Sequence, residues 1–319
     1  MGKTKQKIIM NSKGLIIVPY AYGGNTGVSI QVPKKQLTTY IKNCCVACLS
    51  AKQNAGVGND VMLVTNIDVP EPYASLLTSS GVSIEKCPFD RFNFGSIDKD
   101  GKTVSWQLAF YKLCAIEHCV KNLGYDYFSF LDSDVFVQGS YDKIWQDARD
   151  NIMLYDVCEP CDGYMVKEMQ EFLHTDKYLT HFGGEFFAAS RAHALQFVGE
   201  SEKVYDEMIT TSYMTKNGDE FITSIVASRM KMSVKNAGCY VRRYWTGSYR
   251  LMCNDYKIGH IVILHMPAEK EQGILKIYDR YISRGVVPAK EKVWSIAHLN
   301  NRSLRVKIGV LLRNLGIVK

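Results

Sequence analysis

The chain has 319 residues, 46% hydrophobic and 22% charged, which suits a buried core and excludes a fibrous or broadly disordered protein. Its net charge of +7 is uneven: residues 290–319 hold Lys290, Lys292, Arg302, Arg305, Lys307, Arg313 and Lys319 against Glu291 alone, six of the seven net charges. No run reaches the roughly 18 apolar residues of a membrane span, and Met1 to Lys7 lead into no signal-type apolar core. With ten cysteines and no secretory leader, the expectation is a cytosolic protein with mostly reduced thiols.

In chain order, Gly14 to Tyr22 reads as a first strand, an apolar run closed by the Gly23-Gly24-Asn25 turn. Pro33 to Lys52 reads as a helix, Asp60 to Thr65 as a strand, and Val82 to Cys87 as another. Ser105 to Leu123 has apolar residues at helical spacing (Trp106, Leu108, Ala109, Leu113, Ile116). Tyr127 to Leu131 is rich in β-formers and ends on Asp132. His181 to Ser190 reads as a strand, Gly218 opens a helix running to Met230, and Lys257 to Met266 reads as a late strand ending at His265; helix follows Pro267. Alternating strands and helices predict a mostly parallel, Rossmann-like α/β sheet with helices on both faces. Ligands of such sheets lie beyond the carboxyl ends of the strands, where Asp132-Ser133-Asp134 falls.

If the strand continued through Asp132 and Asp134, their spacing would point both carboxylates to one face. Two hard anionic ligands that close can share Mg²⁺ or Mn²⁺, which a departing diphosphate needs for charge neutralisation. A bare Asp-x-Asp is more often a solvated turn. Here apolar residues precede it and Val135-Phe136-Val137 follow it, which is no setting for such a turn.

The segment Tyr127-Phe-Ser-Phe-Leu-Asp-Ser-Asp-Val-Phe-Val137 resembles the DxD segment of GT-A glycosyltransferases, bacterial capsule and lipopolysaccharide transferases among them. The resemblance covers residues 14 to 267 and implies a GT-A fold with Mn²⁺ or Mg²⁺ held by Asp132 and Asp134 against a nucleotide-sugar donor, UDP-linked by analogy. It further implies a basic residue near the donor at Lys112, a glycine-rich strand lining the sugar at Gly183-Gly184-Glu185-Phe186, and a third metal ligand at His265.

Asp219 and Glu220 are the acid pair for proton transfer from an acceptor hydroxyl in an inverting reaction; equally, Asp219 caps the helix and Glu220 favours its dipole. Glu185 is a further acid candidate, unless its glycines serve only tight strand packing. Tyr20 could stack on a nucleobase, although core tyrosines are commoner. Cys44, Cys45, Cys48, Cys158 and Cys161 suggest a zinc site, but the first three fall inside a helical pattern and read as small buried residues. Asn217-Gly218-Asp219-Glu220-Phe221 nearly spells a diguanylate-cyclase motif, which makes a nucleotidyl cyclase the alternative enzyme; a non-catalytic carbohydrate-binding module is the alternative binding protein.

Residues 1–267 are thus expected to form the catalytic domain and 268–319 a helical, basic, membrane-associating region. On a helical wheel Leu304, Ile308, Leu311, Leu312 and Leu315 share one face, with Arg302, Arg305 and Arg313 away from it. Such a helix lies in an anionic membrane surface. The expected location is therefore peripheral, at the inner face of the cytoplasmic membrane, with a glycan or lipid-linked oligosaccharide as acceptor. Nucleic acid is not an expected partner, because the basic segment lacks interleaved aromatics.

Overall fold

β1 (Gly14–Tyr20) is buried along its whole length, and its side chains divide between two cores: Leu15 and Ile17 enter one, Ile16 and Val18 the other. A strand apolar on both faces must be covered on both, which is the arrangement of a parallel sheet between helices. The computed structural model describes residues 13–23, 34–94, 107–230, 234–245, 257–299, 308, 312 and 315–317.

After β1 come α1 (Lys34–Asn54), β2 (Asn59–Thr65), α2 (Tyr73–Ser79) and β3 (Ser83–Lys86). The helix expected over 105–123 is a 3₁₀ turn, Gln107–Phe110, running into α3 (Tyr111–Asn122). Next are β4 (Tyr127–Leu131), β5 (Val135–Val137), α4 (Asp142–Ala148), β6 (Ile152–Asp156), α5 (Tyr164–Leu173) and β7 (Phe182–Ser190). The remainder is α6 (Arg191–Thr211), α7 (Asp219–Arg229), β8 (Val234–Asn236), β9 (Val241–Arg243), β10 (Ile263–His265), α8 (Gly273–Arg284) and α9 (Lys290–Ile296).

The main sheet has seven strands in the order β3-β2-β1-β4-β7-β6-β8, parallel except where β7 runs against both its neighbours. The chain winds outward from β1 to β2 and β3, then returns to place β4 on the other side of β1. That reversal of winding opens the crevice where ligands of α/β sheets bind. On one face lie α3, α5, α6 and α7; on the other lie α1, α8 and a second sheet of three strands, β5-β10-β9.

The expected strand over Lys257 to Met266 is mostly not one. Ile258–His260 form a 3₁₀ turn, and only Ile263–His265 pair as β10. The core also continues past residue 267: Ile274, Ile277, Tyr278, Val293 and Trp294 are buried in the same cluster as β1. Most of the amphipathic segment expected over 300–319 lies outside the described residues. Among the described residues no helix is long and apolar enough to cross a membrane.

Candidate active site

The backbone does not continue straight through the two aspartates. β4 stops at Leu131, Asp132 N–H donates to the Glu185 carbonyl at 3.0 Å, and the chain turns to re-form as β5 in the small sheet. Asp132-Ser133-Asp134 therefore bridges the two sheets, at the carboxyl end of β4 beside β1. The single-strand face expected of the pair is replaced by a turn, and the two carboxylates differ: the Asp132 side chain is 27% exposed, that of Asp134 fully buried.

The small sheet supplies His265. In its register His265 sits opposite Val135 on β5 and Arg243 on β9. One ligand atom from each of Asp132, Asp134 and His265 lies within 4.8 Å of the others, the one such convergence among the described residues. The donor set suits a divalent cation. Both Asp134 oxygens are buried without a hydrogen-bond donor in good geometry; their contacts are ion pairs, to His265 Nε2 at 3.3 Å and Lys270 Nζ at 3.1 Å. Burial opposes the Asp134 charge, yet these two cations hold its carboxyl well below the usual range. Burial likewise opposes a charged His265, but Asp134 and Glu185 carry it up to about 10.

Lys112, on α3, joins this cluster to the acid pair. Its ammonium lies 3.5 Å from Asp132 Oδ2 and 3.1 Å from Asp219 Oδ2, and donates to the Gly184 carbonyl at 2.9 Å. Its burial is outweighed by three carboxylates, Asp132, Asp219 and Glu220, which raise its pKa. One ammonium serves all three, and the most buried pays: burial pushes Asp219 up to about 7 against the pull of Lys112, with Glu220 and Asp132 adding to the rise.

Asp219 and Glu220 open α7 directly after Gly218, whose φ of +64° and ψ of −148° only glycine adopts readily. The helix N-terminus favours both charges. Glu220 Oε1 accepts from Gly184 N–H at 3.2 Å and from Arg243 Nη2 at 2.9 Å, while Oε2 meets His181 Nε2 at 2.8 Å. Burial would raise Glu220, but His181 and Arg243 bring it down to about 2.

His181 Nδ1 in turn meets Glu159 Oε2 at 2.5 Å. Burial disfavours its charge, but Glu220 and Glu159 reverse that and raise its pKa. A histidine raised on folding contributes stability that is complete below its unfolded value near 6.5 and lost as pH climbs through the raised value. The substitution His181→Gln should therefore lower stability most at low pH, by about 3 kcal/mol for breaking a buried pair, with the deficit, read from melting curves, shrinking as pH rises. A deficit constant from about pH 5 to 9 would reject a charged His181.

Seven of the eight residues singled out from the sequence gather here: Asp132, Asp134, His265, Lys112, Asp219, Glu220 and Glu185. Tyr20, at the end of β1, is 8% exposed and stacks on Tyr40, ring centroids 6.4 Å apart, and Lys270 Nζ lies 5.9 Å from the centre of that Tyr40 ring. Glu185 is present but fully buried, both oxygens held by Arg243 and Oε1 also facing His265 Nδ1 at 3.3 Å, so it is engaged by cations and closed to solvent. Sequence reasoning missed Arg243, Lys270 and His181. In the sequence His181 stands just before Gly183 and Lys270 just after His265, while nothing marks Arg243. Cys44, Cys45 and Cys48 are buried on α1, and Cys158 and Cys161 are exposed between β6 and α5.

No protein-family model and no curated protein matches the chain.

Proposed function

We propose that this chain is a metal-dependent glycosyltransferase of GT-A type. It would move a sugar from a nucleotide-sugar donor, UDP-linked by the resemblance, to a hydroxyl of a glycan or lipid-linked acceptor. The supporting observation is the convergence of Asp132, Asp134 and His265 at the sheet's crevice, with the Asp134 carboxylate fully buried and met only by the cationic His265 and Lys270 side chains. These three would hold Mn²⁺ or Mg²⁺, which when bound supplies charge neutralisation for a departing diphosphate.

The chain's own groups fit the same task. Lys112 and Lys270 bring ammonium charges to the same carboxylates, suited to meeting phosphate oxygens. Of the acid pair, Glu220 is the one a substrate reaches, its side chain 27% exposed against 3% for Asp219. A carboxylate lowered to about 2 is a weak base but a strong electrostatic partner for a sugar that becomes cationic as its bond breaks. We therefore assign Glu220 to the sugar side, with Asp219 and Lys112 beneath it.

A thermal-shift screen of nucleotide sugars with and without Mn²⁺ tests this. Stabilisation that needs nucleotide sugar and Mn²⁺ together is the expected result. A response to GTP in their place would favour a nucleotidyl cyclase, and a response to free oligosaccharide alone a carbohydrate-binding module.

We extend the proposal to the membrane through the basic segment 300–319. Charges near an anionic surface contribute about 1 kcal/mol each. Deleting residues 300–319 should therefore release the protein from phosphatidylserine-containing liposomes in co-sedimentation, whereas undiminished binding would reject the tail as anchor.

A further inference from the structure

We infer that Glu185 and Arg243 are positioning residues that aim the His265 imidazole at the Asp132–Asp134 pair, an inference that rests on the metal-binding reading above. Arg243 Nε donates to Glu185 Oε1 at 2.7 Å and Nη2 to Oε2 at 2.6 Å, a bidentate clamp. Glu185 Oε1 then accepts from His265 Nδ1 at 3.3 Å. The opposite nitrogen, Nε2, is left 3.3 Å from Asp134 and 3.9 Å from Asp132.

An unsupported imidazole rotates and offers either nitrogen. A carboxylate fixed on one nitrogen selects the other as ligand and makes it more basic. Three features of the fold serve this aim. Arg243 and His265 are register partners on neighbouring parallel strands, so their side chains leave the sheet on the same face. Glu185 is fully buried and His265 is 5% exposed, so the bond between them is sheltered from water. Gly183 clears the space: a Cβ there would collide with Glu185 Oε2 and stand 2.5 Å from Arg243 Nη2. A buried, ionised glutamate with both oxygens engaged is costly to keep, and orienting His265 gives it a role that proton transfer does not.

The same guanidinium also holds Glu220 at 2.9 Å. Arg243 thus ties the orientation of the metal-side histidine to that of the sugar-side carboxylate.

The experiment measures Mn²⁺ affinity of the full chain by electron paramagnetic resonance for wild type, E185Q, R243K, H265A and the E185Q/H265A double variant. Arg243→Lys keeps the charge but loses the fork geometry. Both E185Q and R243K should weaken Mn²⁺ binding about 10- to 100-fold. Because Glu185 acts through His265, E185Q should cost nothing further in the H265A background. Unchanged affinity in E185Q, or an equal loss with and without His265, overturns the inference while the metal reading stands. Absence of Mn²⁺ binding by wild type would instead overturn the metal reading itself. A readout independent of ion and activity is the ¹⁵N spectrum of histidine-labelled, metal-free protein. It should show a hydrogen-bonded Nδ1–H, assigned to His265 by its loss in H265A and shifted in E185Q; no shift in a folded E185Q chain overturns the positioning role.

Discussion

Asp134→Asn should abolish cation-dependent transfer, lowering its rate by at least about 10²- to 10³-fold, and should remove Mn²⁺ binding. Two effects combine. Asparagine keeps the shape but surrenders the charge of a group with no exposed surface. His265 and Lys270, at 3.3 and 3.1 Å, then lose the anion they share. Breaking a buried ion pair costs about 3–5 kcal/mol. The lower end applies, because His265 can shed its proton once Asp134 stops holding it, and the Lys270 side chain, 32% exposed, can turn towards water. The variant should melt lower yet remain folded, and wild type in EDTA should match its residual activity. Full transfer by Asp134→Asn with EDTA present would end the metal proposal.

Gly184→Ala is expected to damage the site nearly as much, although it adds a single methyl group. That methyl would collide with Asp219 Oδ2 and lie 2.8 Å from Lys112 Nζ. Neither group has room to yield: Asp219 is 2% exposed, and Lys112 is bound at once to Asp132, Asp219 and the Gly184 carbonyl. Overpacking costs about 1–3 kcal/mol, and a displacement near 1 Å at the reacting groups costs about 10²-fold in rate. Gly199→Ala supplies the contrast. Gly199 lies inside α6 with nothing within 4 Å of its added Cβ, so alanine should stabilise by about 0.5–1 kcal/mol. Melting curves of both variants decide the matter. A Gly184→Ala protein as stable and active as wild type would mean that the Lys112–Asp219 pair does not depend on a bare backbone at that strand.

The parts of the fold visible in the sequence are those with strong local pattern. β4 falls on Tyr127–Leu131 as expected, because a run of aromatic and apolar residues after Gly124 has little else to be. β1, β2 and α1 were likewise legible within a residue or two. α6 was overlooked although its buried Ala194, Phe197, Val198, Ser201, Val204 and Met208 recur at helical spacing, so the signal was there to read. β5, β9 and β10 are different. Three residues carry no measurable period, and such strands exist only because distant segments pair. Arg243, Lys270 and His181 share that fate: a charged residue in isolation reads as solvated, and only the register of the small sheet and the approach of α7 bring them to their partners. Glu185 was found for its glycines, but its position between Arg243 and His265 is a tertiary fact.

The bridging of two sheets by Asp132-Ser133-Asp134 has a consequence for how the protein assembles. Asp132 and Glu185 come from strands of the large sheet and Lys112 and Asp219 from helices packed on it, while His265 and Arg243 arrive on strands of the small sheet, late in the chain. Joining them closes a long loop, an entropic cost met before His265 and Arg243 find their partners. On the metal reading, the cradle is expected to form late in folding, after the first sheet. An ion bound there should slow the unfolding of the finished protein and leave its rate of folding almost unchanged.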